Sequence, residues 1–600
     1  MSVDVGKLRQ IVRRRSLARA ICIAFCAYAL GVILFRPSSM CGAAQDSNST
    51  NAEHGRAAAG ANDPSPMVDE LFASFEKPGS PGCAIGVIRN GNFVLRKAYG
   101  LGSLELGVPL SPQSVFYMGS VSKQFTAASV VLAAEQGFLS FDDDVRRYIP
   151  ELPDYGHPIT VRQILHQTSG FRDFFDLIYF SGRNAADFND PDEIFKLVVR
   201  QTGLNNVPGA EYIYSNTNYF LLGMVVQRAT KKTLAQFAEQ NIFQPLGMTH
   251  PCFYDDATVV VPGRVAAYDA DKNGNFLVDW STRYRVVGGG GLMSTIDDLL
   301  LWDRNFYANR LGKRTLVKEL ETRGVLNSGK PINYALGLFW ATYRGLPVVG
   351  HDGALFGYRT QILRFPEQKF SVLCLCNLSN ANPGSLAREV ADVYLAKELQ
   401  RADGMSDPSD NNYSLNAAAF AGKYLDPRNH RLYTFTAYDG NLEAWGSVLR
   451  RRSVNEFYDL FGNVIKFEGA NGSMKAMLDM EGTTYFAGSK VQEMHLNEES
   501  LTALTGQYRS SELDATYIVS LEQGSLMLRN GSNPPMELVP IAKDEFDAAD
   551  SFTVVFDRHK DDRSSGMTLF ADAAGGIHFT GQTKRDRPKK QRRVTVGKAC

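Results

Sequence analysis

The sequence predicts a mixed α/β domain that is followed by two small antiparallel β-barrels. Two β-prone runs at 82–88 and 93–99 flank an Asn-Gly turn, a pattern that indicates a β-hairpin. A helical stretch is expected at 120–136, and two more strands at 358–365 and 370–376. The last third of the chain contains an internal repeat, which predicts two copies of a smaller all-β unit.

Length and composition indicate a multidomain globular protein. The chain has 600 residues, more than one hydrophobic core normally holds, so several domains are expected. Sixty-four basic residues balance 64 acidic ones, and this balance gives no sign of a nucleic-acid-binding surface. A basic stretch at 584–593 is expected to lie in the last hairpin. No nucleic-acid partner is therefore predicted.

The N-terminal residues 1–44 predict a signal peptide or a signal anchor. Basic residues precede an uncharged apolar run at 21–35, and small residues follow at 42–44, which is the order of a secretory signal. The run is shorter than the roughly 20 residues that span a membrane. An uncleaved helix with N-terminal membrane association nevertheless stays open as an alternative. We therefore expect an exported protein, either periplasmic, secreted or anchored to the membrane.

Cysteine usage predicts neither a disulfide framework nor a zinc site. Three of the eight cysteines lie in or beside the leader, and the other five have irregular spacings. Cys374 and Cys376 would point to one face of a strand, where both are expected to be small core residues.

The helical stretch carries the first candidate catalytic residues. Ser120 and Lys123 stand at i and i+3, so their side chains lie on one face of the helix. A lysine that burial keeps neutral can accept the proton of a serine hydroxyl. The helix N-terminus adds free backbone N–H groups and a partial positive charge. The four-residue pattern occurs often by chance and needs support from elsewhere in the chain.

A second cluster contains Tyr214 and Asn216, just before a helix-like run. A proton-transferring phenol and an amide that faces the substrate are the functional interpretation of this pair. A helix N-cap at Ser215 or Asn216 is the plain alternative.

A third cluster contains His351, Asp352, Gly353 and Ala354, at the entrance to the later strands. Glycine beside a polar residue at a strand edge lets a ligand approach the backbone closely, although a simple strand and turn would give the same pattern.

Taken together, the three clusters resemble the penicillin-recognising serine hydrolases: class C β-lactamases, DD-peptidases, D-aminopeptidases and related esterases. The resemblance rests on Ser-x-x-Lys at 120, Tyr-x-Asn at 214 and His-x-Gly at 351, in this order and with these separations. Thr168-Ser169-Gly170 supports it, and it covers about 66–400. It implies a β-lactamase-like α/β (α+β) fold, with an antiparallel sheet flanked by helices and an all-α subdomain.

The resemblance also implies a role for each residue. Ser120 would be the acylated nucleophile and Lys123 its general base. Tyr214 would transfer the proton and help to activate the deacylating water, and Asn216 would orient the acyl side chain. The other implied groups are His351 on the carboxylate side of the site, Gly353 beside it, and the backbone N–H groups of Ser120 and Ala354 as the oxyanion hole. Asp352 either tunes His351 or faces solvent, and neither a metal ion nor a cofactor is implied.

Two departures from the family pattern matter. The usual Lys-Thr-Gly triplet is His-Asp-Gly at 351–353, which points away from a dedicated β-lactamase and toward peptidases or esterases. The family often places histidine just before Thr168. This chain has Gln167 there and His166 one residue earlier, for which we expect a structural or supporting role.

The repeat in the last third of the chain predicts the number and the approximate bounds of the remaining domains. Residues 422–424 recur as 506–508, and 440–442 recur as 524–526, in each case 84 residues later. Each copy alternates short strands with turn residues, as in a small antiparallel barrel. Similar paired, lipocalin-like barrels occur in relatives of the D-aminopeptidases. The predicted domains are the leader 1–44, a flexible linker 45–66, a catalytic domain 67–402 and barrels 412–492 and 499–600.

These observations predict an exported serine hydrolase that forms an acyl-enzyme on an amide or ester. A D-aminopeptidase-like or related peptidase is the main hypothesis, with a small-molecule or peptide substrate that contains a D-residue. A carboxylesterase, a DD-peptidase and a β-lactamase would use the same residues. A penicillin-binding type of sensor that does not turn over is an alternative from another class. The sequence makes no prediction of oligomeric state.

Overall fold

The computed structural model of the chain describes residues 63–183, 190–279, 283–399 and 417–582. Within the last range, the description omits 439, 445–446, 460–462, 470–472, 481–482, 493, 532, 550 and 559–563. The predicted leader, most of the linker and the basic stretch at 584–593 lie outside the described residues. Among the described residues, the helices are all too short or too polar to span a membrane.

The catalytic domain is built on one six-stranded antiparallel sheet with several small strand pairs around it. Its strands are β1 Cys83–Arg89, β2 Asn92–Tyr99, β3 Leu101–Ser103, β4 Val108–Pro109, β5 Phe116–Tyr117, β6 Cys252–Phe253, β7 Ala267–Ala270, β8 Phe276–Asp279, β9 Leu292–Ser294, β10 Phe339–Tyr343, β11 Leu346–Leu355, β12 Tyr358–Phe365 and β13 Phe370–Cys376. The main sheet has the order β10-β11-β12-β13-β1-β2. The predicted hairpin and the two later strands thus pair in one sheet, with β1 beside β13.

Helices cover both faces of this sheet. They are α1 Ser65–Phe72, α2 Ser122–Glu135, α3 Val161–Leu165, α4 Phe174–Phe180, α5 Pro191–Val199, α6 Asn216–Thr230, α7 Leu234–Ala238, α8 Gln244–Leu246, α9 Ile296–Ala308, α10 Leu316–Glu321 and α11 Pro383–Tyr394. Side chains alternate along a strand, so Ile85 of β1 joins the core with α1 and α11, while Ala84 joins the core with α2 and α9. Helix α1 begins at Ser65, one residue before the predicted end of the linker.

Helix α2 is the centre of the larger core. Its residues from Ser122 to Ala133 are all buried, which explains why its sequence lacks a polar face. The Phe125 ring packs 4.5 Å from Trp302 of α9, and Trp302 Nε1 donates a hydrogen bond to Gln124 Oε1 at 3.0 Å. The start of α2 is therefore held rigidly against the sheet.

Two antiparallel units follow the catalytic domain. The first contains the short helix α12 Ala417–Phe420 and strands β14 Gly422–Asp426, β15 Arg431–Tyr438, β16 Asn441–Ala444, β17 Ser447–Val448, β18 Arg450–Arg451, β19 Glu456–Tyr458, β20 Val464–Glu468, β21 Lys475–Met480 and β22 Thr483–Lys490. It is a nine-stranded sheet whose edge strands are β17 and β18. Only one residue separates these two strands in the chain, so the sheet curls until its edges meet. We call this unit the first C-terminal sheet.

The second unit is a closed eight-stranded barrel. It contains helix α13 Glu498–Thr502 and strands β23 Gly506–Ser510, β24 Ala515–Glu522, β25 Ser525–Asn530, β26 Met536–Ala542, β27 Glu545–Ala548, β28 Phe552–Arg558, β29 Ser564–Phe570 and β30 Gly575–Gly581. Pairing between β23 and β30 closes the ring. The predicted fold class, a β-lactamase-like domain with two antiparallel β units, is confirmed. The first unit differs from the predicted closed barrel. Its edge strands β17 and β18 are consecutive in the chain and are connected by a single residue, not by a ladder of strand hydrogen bonds.

The closed barrel is tied to the catalytic domain next to α4. The backbone N–H of Asp173 donates to the Ala573 carbonyl at 2.7 Å, and the Arg172 guanidinium donates to the carbonyls of Gly575 and Gly576. Arg172 also forms a buried ion pair with Glu512 at 3.0 Å. The turn between β29 and β30 therefore fixes the N-terminal end of α4.

The prediction that the cysteines form no disulfide was wrong. Cys83 and Cys376 are bonded, and they lie opposite each other on β1 and β13. The partners are 293 residues apart in sequence, so spacing gave no hint of the bond. Cys374 is a core thiol as predicted, with its Sγ 3.8 Å from that of Cys376.

We expect the double variant Cys83→Ser/Cys376→Ser to lose about 2–5 kcal/mol of unfolding free energy, because the cross-link closes a long loop in the unfolded chain. Urea denaturation of the oxidised proteins measures the difference. Phosphine reductant should destabilise the wild type and leave the double variant unchanged. If the wild type is unfolded and refolded in the presence of the reductant and its unfolding free energy does not change, the disulfide bond is contradicted.

Candidate active site

The structure brings the three predicted clusters together around the start of α2. Ser120 lies in a single 3₁₀ turn, Gly119–Val121, that leads directly into α2. Strand β11 packs against this turn and brings His351, Gly353 and Ala354 to it. Tyr214 and Asn216 arrive from the loop that begins α6.

The Lys123 side chain is fully buried and makes three polar contacts. Its Nζ lies 3.0 Å from Ser120 Oγ, 2.8 Å from Asn216 Oδ1 and 2.7 Å from the Gly289 carbonyl. The last two groups only accept hydrogen bonds. A neutral amine has two N–H donors and one lone pair, so these acceptors take both protons. The lone pair is then directed at the Ser120 hydroxyl.

Burial lowers the pKa of Lys123 to about 7, and the negative charges of Asp173 and Asp352 oppose this shift. Removing a cation from water is costly, so the neutral form gains relative to the charged form. A substantial fraction of Lys123 is therefore neutral near pH 7. In that state, the amine is able to accept the proton of Ser120.

The Tyr214 phenol lies on the other side of Ser120. The Ser120 hydroxyl is close enough to affect the pKa of this phenol, and the Lys123 Nζ lies 4.9 Å from the centre of its ring. Burial raises the pKa of Tyr214 well above its usual value, so the phenol keeps its proton. A protonated phenol between serine and lysine is suited to pass a proton to a leaving group.

Asn216 holds Lys123 in place. Its Oδ1 accepts from Lys123, and its Nδ2 donates to Asp173 Oδ2 at 2.9 Å. The backbone N–H of Asn216 also donates to Asp173. The alternative of a side-chain N-cap does not apply, because the Ser215 side chain makes no capping hydrogen bond. Asn216 also lines the small pocket beside Ser120, where the resemblance expected it to meet the substrate.

His351 is buried and neutral. Burial lowers its pKa to about 4, against the opposing charge of Asp352. Its Nδ1 lies 2.6 Å from the backbone carbonyl of Asp352, so Nδ1 carries the proton and donates. Its Nε2 faces the Tyr334 hydroxyl at 3.4 Å. The group that replaces the usual lysine is thus a dipole and not a cation.

The Asp352 carboxylate is about half exposed and lies 3.7 Å from His351 Nδ1. The sequence left open whether Asp352 tunes His351 or faces solvent, and in the structure it does both.

The predicted oxyanion-hole groups lie next to each other. Gly119 has φ of +52°, and a Cβ there would stand 2.7 Å from the Ala354 nitrogen. A Cβ at Gly353 would collide with the Met118 carbonyl at 2.2 Å. Only glycine permits this approach, which brings the Ala354 backbone beside the turn that carries Ser120.

Sequence reasoning missed two residues that hold the site. Asp173 is the N-cap of α4, accepts from Phe175 N at 2.7 Å, and also binds Asn216. Gln167 has φ of +60°, and its Oε1 accepts from the backbone N–H of Ser215 at 3.0 Å. Aspartate before an apolar helical run was a usable N-cap signal for Asp173. Gln167 stood out in the sequence only as a departure from the family pattern, and its role could not be predicted because its partners are 48 and 51 residues away.

Neighbouring residues have supporting roles. The ring nitrogens of His166 lie 3.0 Å and 3.1 Å from the carbonyls of Arg162 and Thr322, which agrees with the structural role expected for it. The glycine run before β9 wraps α2, because the Thr126 hydroxyl donates to the Gly288 carbonyl at 2.8 Å and Gly289 accepts from Lys123.

Comparisons with known proteins agree with the division of the chain into a catalytic domain and C-terminal units. A family model described as Beta-lactamase matches residues 68–396, which is more than half of the chain. A D-aminopeptidase from Brucella canis is 24% identical over 521 residues, which cover 83% of this chain and 95% of the relative. A D-aminopeptidase from Brucella anthropi is 25% identical over 451 residues, which cover 74% and 82%.

A solved structure has the same fold. The octameric penicillin-binding protein homologue from Pyrococcus abyssi aligns with a TM-score of 0.52 at 20% identity. The alignment covers 78% of this chain and 98% of that one.

We expect the rate at which a fluorophosphonate labels Ser120 to rise with pH along an apparent pKa of about 7, because only neutral Lys123 accepts the serine proton. Intact mass spectrometry at a series of pH values measures this rate. A rate that instead followed a pKa near 4 would identify His351 as the base.

The variants Asp173→Asn and Asp352→Asn provide the matched control. Both carboxylates raise the pKa of Lys123, so each variant should move the profile to lower pH. Asp352 does not contact Asn216. The Asp352→Asn variant therefore removes a negative charge without disturbing the hydrogen bond between Asn216 and Lys123. A profile that stays in place in both variants would contradict the assignment to Lys123.

Proposed function

Because the chain belongs to the beta-lactamase family of penicillin-recognising serine hydrolases, we propose that it hydrolyses amides through an acyl-enzyme on Ser120. The observation that carries the proposal is the buried Lys123 amine, which two acceptors orient toward the serine hydroxyl. Each further step uses a group that lies in contact with this pair.

In the acylation step, Ser120 Oγ attacks the substrate carbonyl carbon while its proton passes to Lys123. The carbonyl oxygen becomes an oxyanion between the backbone N–H groups of Ser120 and Ala354. Donors placed in this way are typically worth about 10²–10³ in rate each. Collapse of the intermediate breaks the carbon–nitrogen bond, and the proton moves from Lys123 through Tyr214 to the leaving amine.

In the deacylation step, water takes the place of the leaving amine. It attacks the ester carbon and gives its proton to the same Lys123 and Tyr214 pair. Breaking the ester bond returns the proton to Ser120 and releases the acid. His351 lies beside this path as a neutral dipole, and Asn216 and Asp173 keep Lys123 in position.

The acyl side of the site favours a small residue with a free amino group. The pocket beside Ser120 has a volume of only about 20 Å³ and is lined by Phe174, Phe175 and Asn216 among others, which leaves room for about one methyl group. The helix that supplies these rings also carries Asp176, and burial raises the pKa of that carboxyl well above its usual value. An ammonium group would compensate the desolvated acid.

The nearby charges agree with this substrate. Asp572, in the turn of the closed barrel, acts electrostatically on Asp176, as does Asp173. Asp173 and Asp572 therefore both act on Asp176, and in the proposed function the substrate ammonium lies beside this acidic group. Together with the D-aminopeptidase relatives, they support an aminopeptidase that removes a small N-terminal D-residue.

We expect D-alanine p-nitroanilide to be hydrolysed faster than N-acetyl-D-alanine p-nitroanilide, because acetylation removes the ammonium charge. The variant Asp176→Asn should reduce kcat/KM for the free amine about tenfold or more and should narrow the difference between the two substrates. Asp192→Asn, an exposed carboxylate on α5, is the matched control. Release of p-nitroaniline measures all six combinations.

Three outcomes would overturn this proposal. Faster turnover of p-nitrophenyl butyrate, with none of the anilide, would show an esterase. A Ser120 adduct that persists without product release would show a sensor. Full activity in Ser120→Ala would remove the proposed nucleophile.

We also propose that the protein is exported, periplasmic or secreted. The leader at 1–44 supports export. The Cys83–Cys376 disulfide also supports it, since such bonds persist in oxidising compartments. Intact mass of the protein from the periplasm and the medium of an expressing bacterium should show loss of the leader and of two hydrogen atoms. Full-length, reduced protein confined to the cytoplasm would contradict export.

A further inference from the structure

A second, larger cavity lies between the catalytic domain and the first C-terminal sheet. Its volume is about 350 Å³, many times that of the pocket beside Ser120. Tyr212, Tyr334 and Phe339 line it from the catalytic domain, and Asn429 and Tyr485 line it from the first C-terminal sheet. The cavity exists only because these two parts of the chain meet.

The cavity adjoins the proton-transfer side of the active site. Phe339 lies parallel to the Tyr214 ring at 6.3 Å, and its ring is 4.9 Å from that of His351. The Tyr334 hydroxyl contacts His351. The same two aromatic rings thus face the catalytic groups and form a wall of the cavity.

This position corresponds to the leaving-group side of the reaction. A general acid must reach the atom that leaves, so the amine of the substrate lies next to Tyr214. The small pocket of Phe174 and Phe175 holds the acyl side. A leaving group that is longer than ammonia then extends from Tyr214 past Phe339 and into the cavity.

The charges around the cavity favour an anion. Among the described residues, the cations Lys330 and Arg428 and the carboxylate of Glu211 line it. Arg428 binds the buried Asp426 through Nε and Nη2, and its Nη1 has no hydrogen-bond partner within the described ranges. Lys330 is exposed.

A third cation lies behind the wall. Arg431 is only 5% exposed, and its guanidinium lies 5.7 Å from the centre of the Tyr485 ring. No acceptor or carboxylate lies within bonding distance of that guanidinium in the part of the chain that the structure describes. Against the effect of burial, Tyr485, Tyr433, Asp572 and Glu211 act on it only electrostatically and together raise the pKa of Arg431. The charged form of Arg431 is therefore retained, and an anion in the cavity would interact favourably with it.

We propose that this cavity binds the leaving peptide of the substrate and recognises its free terminal carboxylate. This inference rests on the proposed function and narrows it from amides in general to short peptides. The carboxylate binds between Lys330 and Arg428, and Arg431 behind Tyr485 adds a positive charge close to the cavity. The amide side chains of Asn333 and Asn429 and the hydroxyl of Thr484, which also line the cavity, are suited to the peptide groups. The volume suits about two residues.

The first test measures binding and does not need turnover. Isothermal titration compares L-alanyl-L-alanine with L-alanyl-L-alanine amide, which differ only at the carboxylate. We expect the free acid to bind about tenfold or more tightly than the amide. Lys330→Gln should weaken binding of the acid, and Glu211→Gln should strengthen it by removing the competing charge. Lys543→Gln, an exposed lysine on the closed barrel, is the matched control.

Equal binding of acid and amide would overturn the proposal, as would a preference that survives Lys330→Gln and Arg428→Gln. Loss of Arg428 leaves the buried Asp426 unpaired and can unfold the first C-terminal sheet. Lys330→Gln at its exposed position is therefore the decisive variant, with thermal unfolding measured alongside.

A kinetic test links the cavity to the reaction. D-Ala-L-Ala-L-Ala should have a higher kcat/KM than its C-terminal amide. Lys330→Gln should remove most of this advantage of the free acid, mainly by raising its KM. D-Alanine p-nitroanilide carries no carboxylate and reports the proposed function alone. If the wild type does not hydrolyse the anilide, the proposed function fails, and the titration alone decides whether the cavity binds a carboxylate.

Discussion

The buried amine of Lys123 is the interaction on which the rest of the site depends. A lysine in solution is charged and cannot act as a base near pH 7. Here, complete burial lowers its pKa to about 7. Gly289 and Asn216 take its two protons, so the lone pair can only be directed at Ser120. The fold therefore controls both the protonation of the base and its direction.

Several distant parts of the chain maintain this arrangement. The glycine run before β9 supplies one acceptor, and the N-terminal end of α6 supplies the other through Asn216. Asp173 holds Asn216, and the closed barrel holds Asp173 through the Ala573 carbonyl. An all-β unit some 400 residues away is thus connected to the base by three consecutive hydrogen bonds. This connection gives the barrel a structural reason to be part of the enzyme.

Both C-terminal units also contribute residues near the active site. The closed barrel brings Asp572 close enough to act electrostatically on Asp176, and the first C-terminal sheet forms one wall of the larger cavity. In the proposed function, recognition of the leaving peptide then depends in part on a surface that the catalytic domain does not contain.

The sequence by itself determined the hairpin of β1 and β2, the later strands, the central helix and the repeated β units, because periodicity and turn residues are local. It also determined the candidates Ser120, Lys123, Tyr214, Asn216 and His351, because their motifs recur in one order. Only the tertiary structure decided the Cys83–Cys376 bond, the support by Gln167 and Asp173, and the neutral state of His351 and Lys123. These depend on partners tens to hundreds of residues away and on exclusion of water, and no local pattern encodes either.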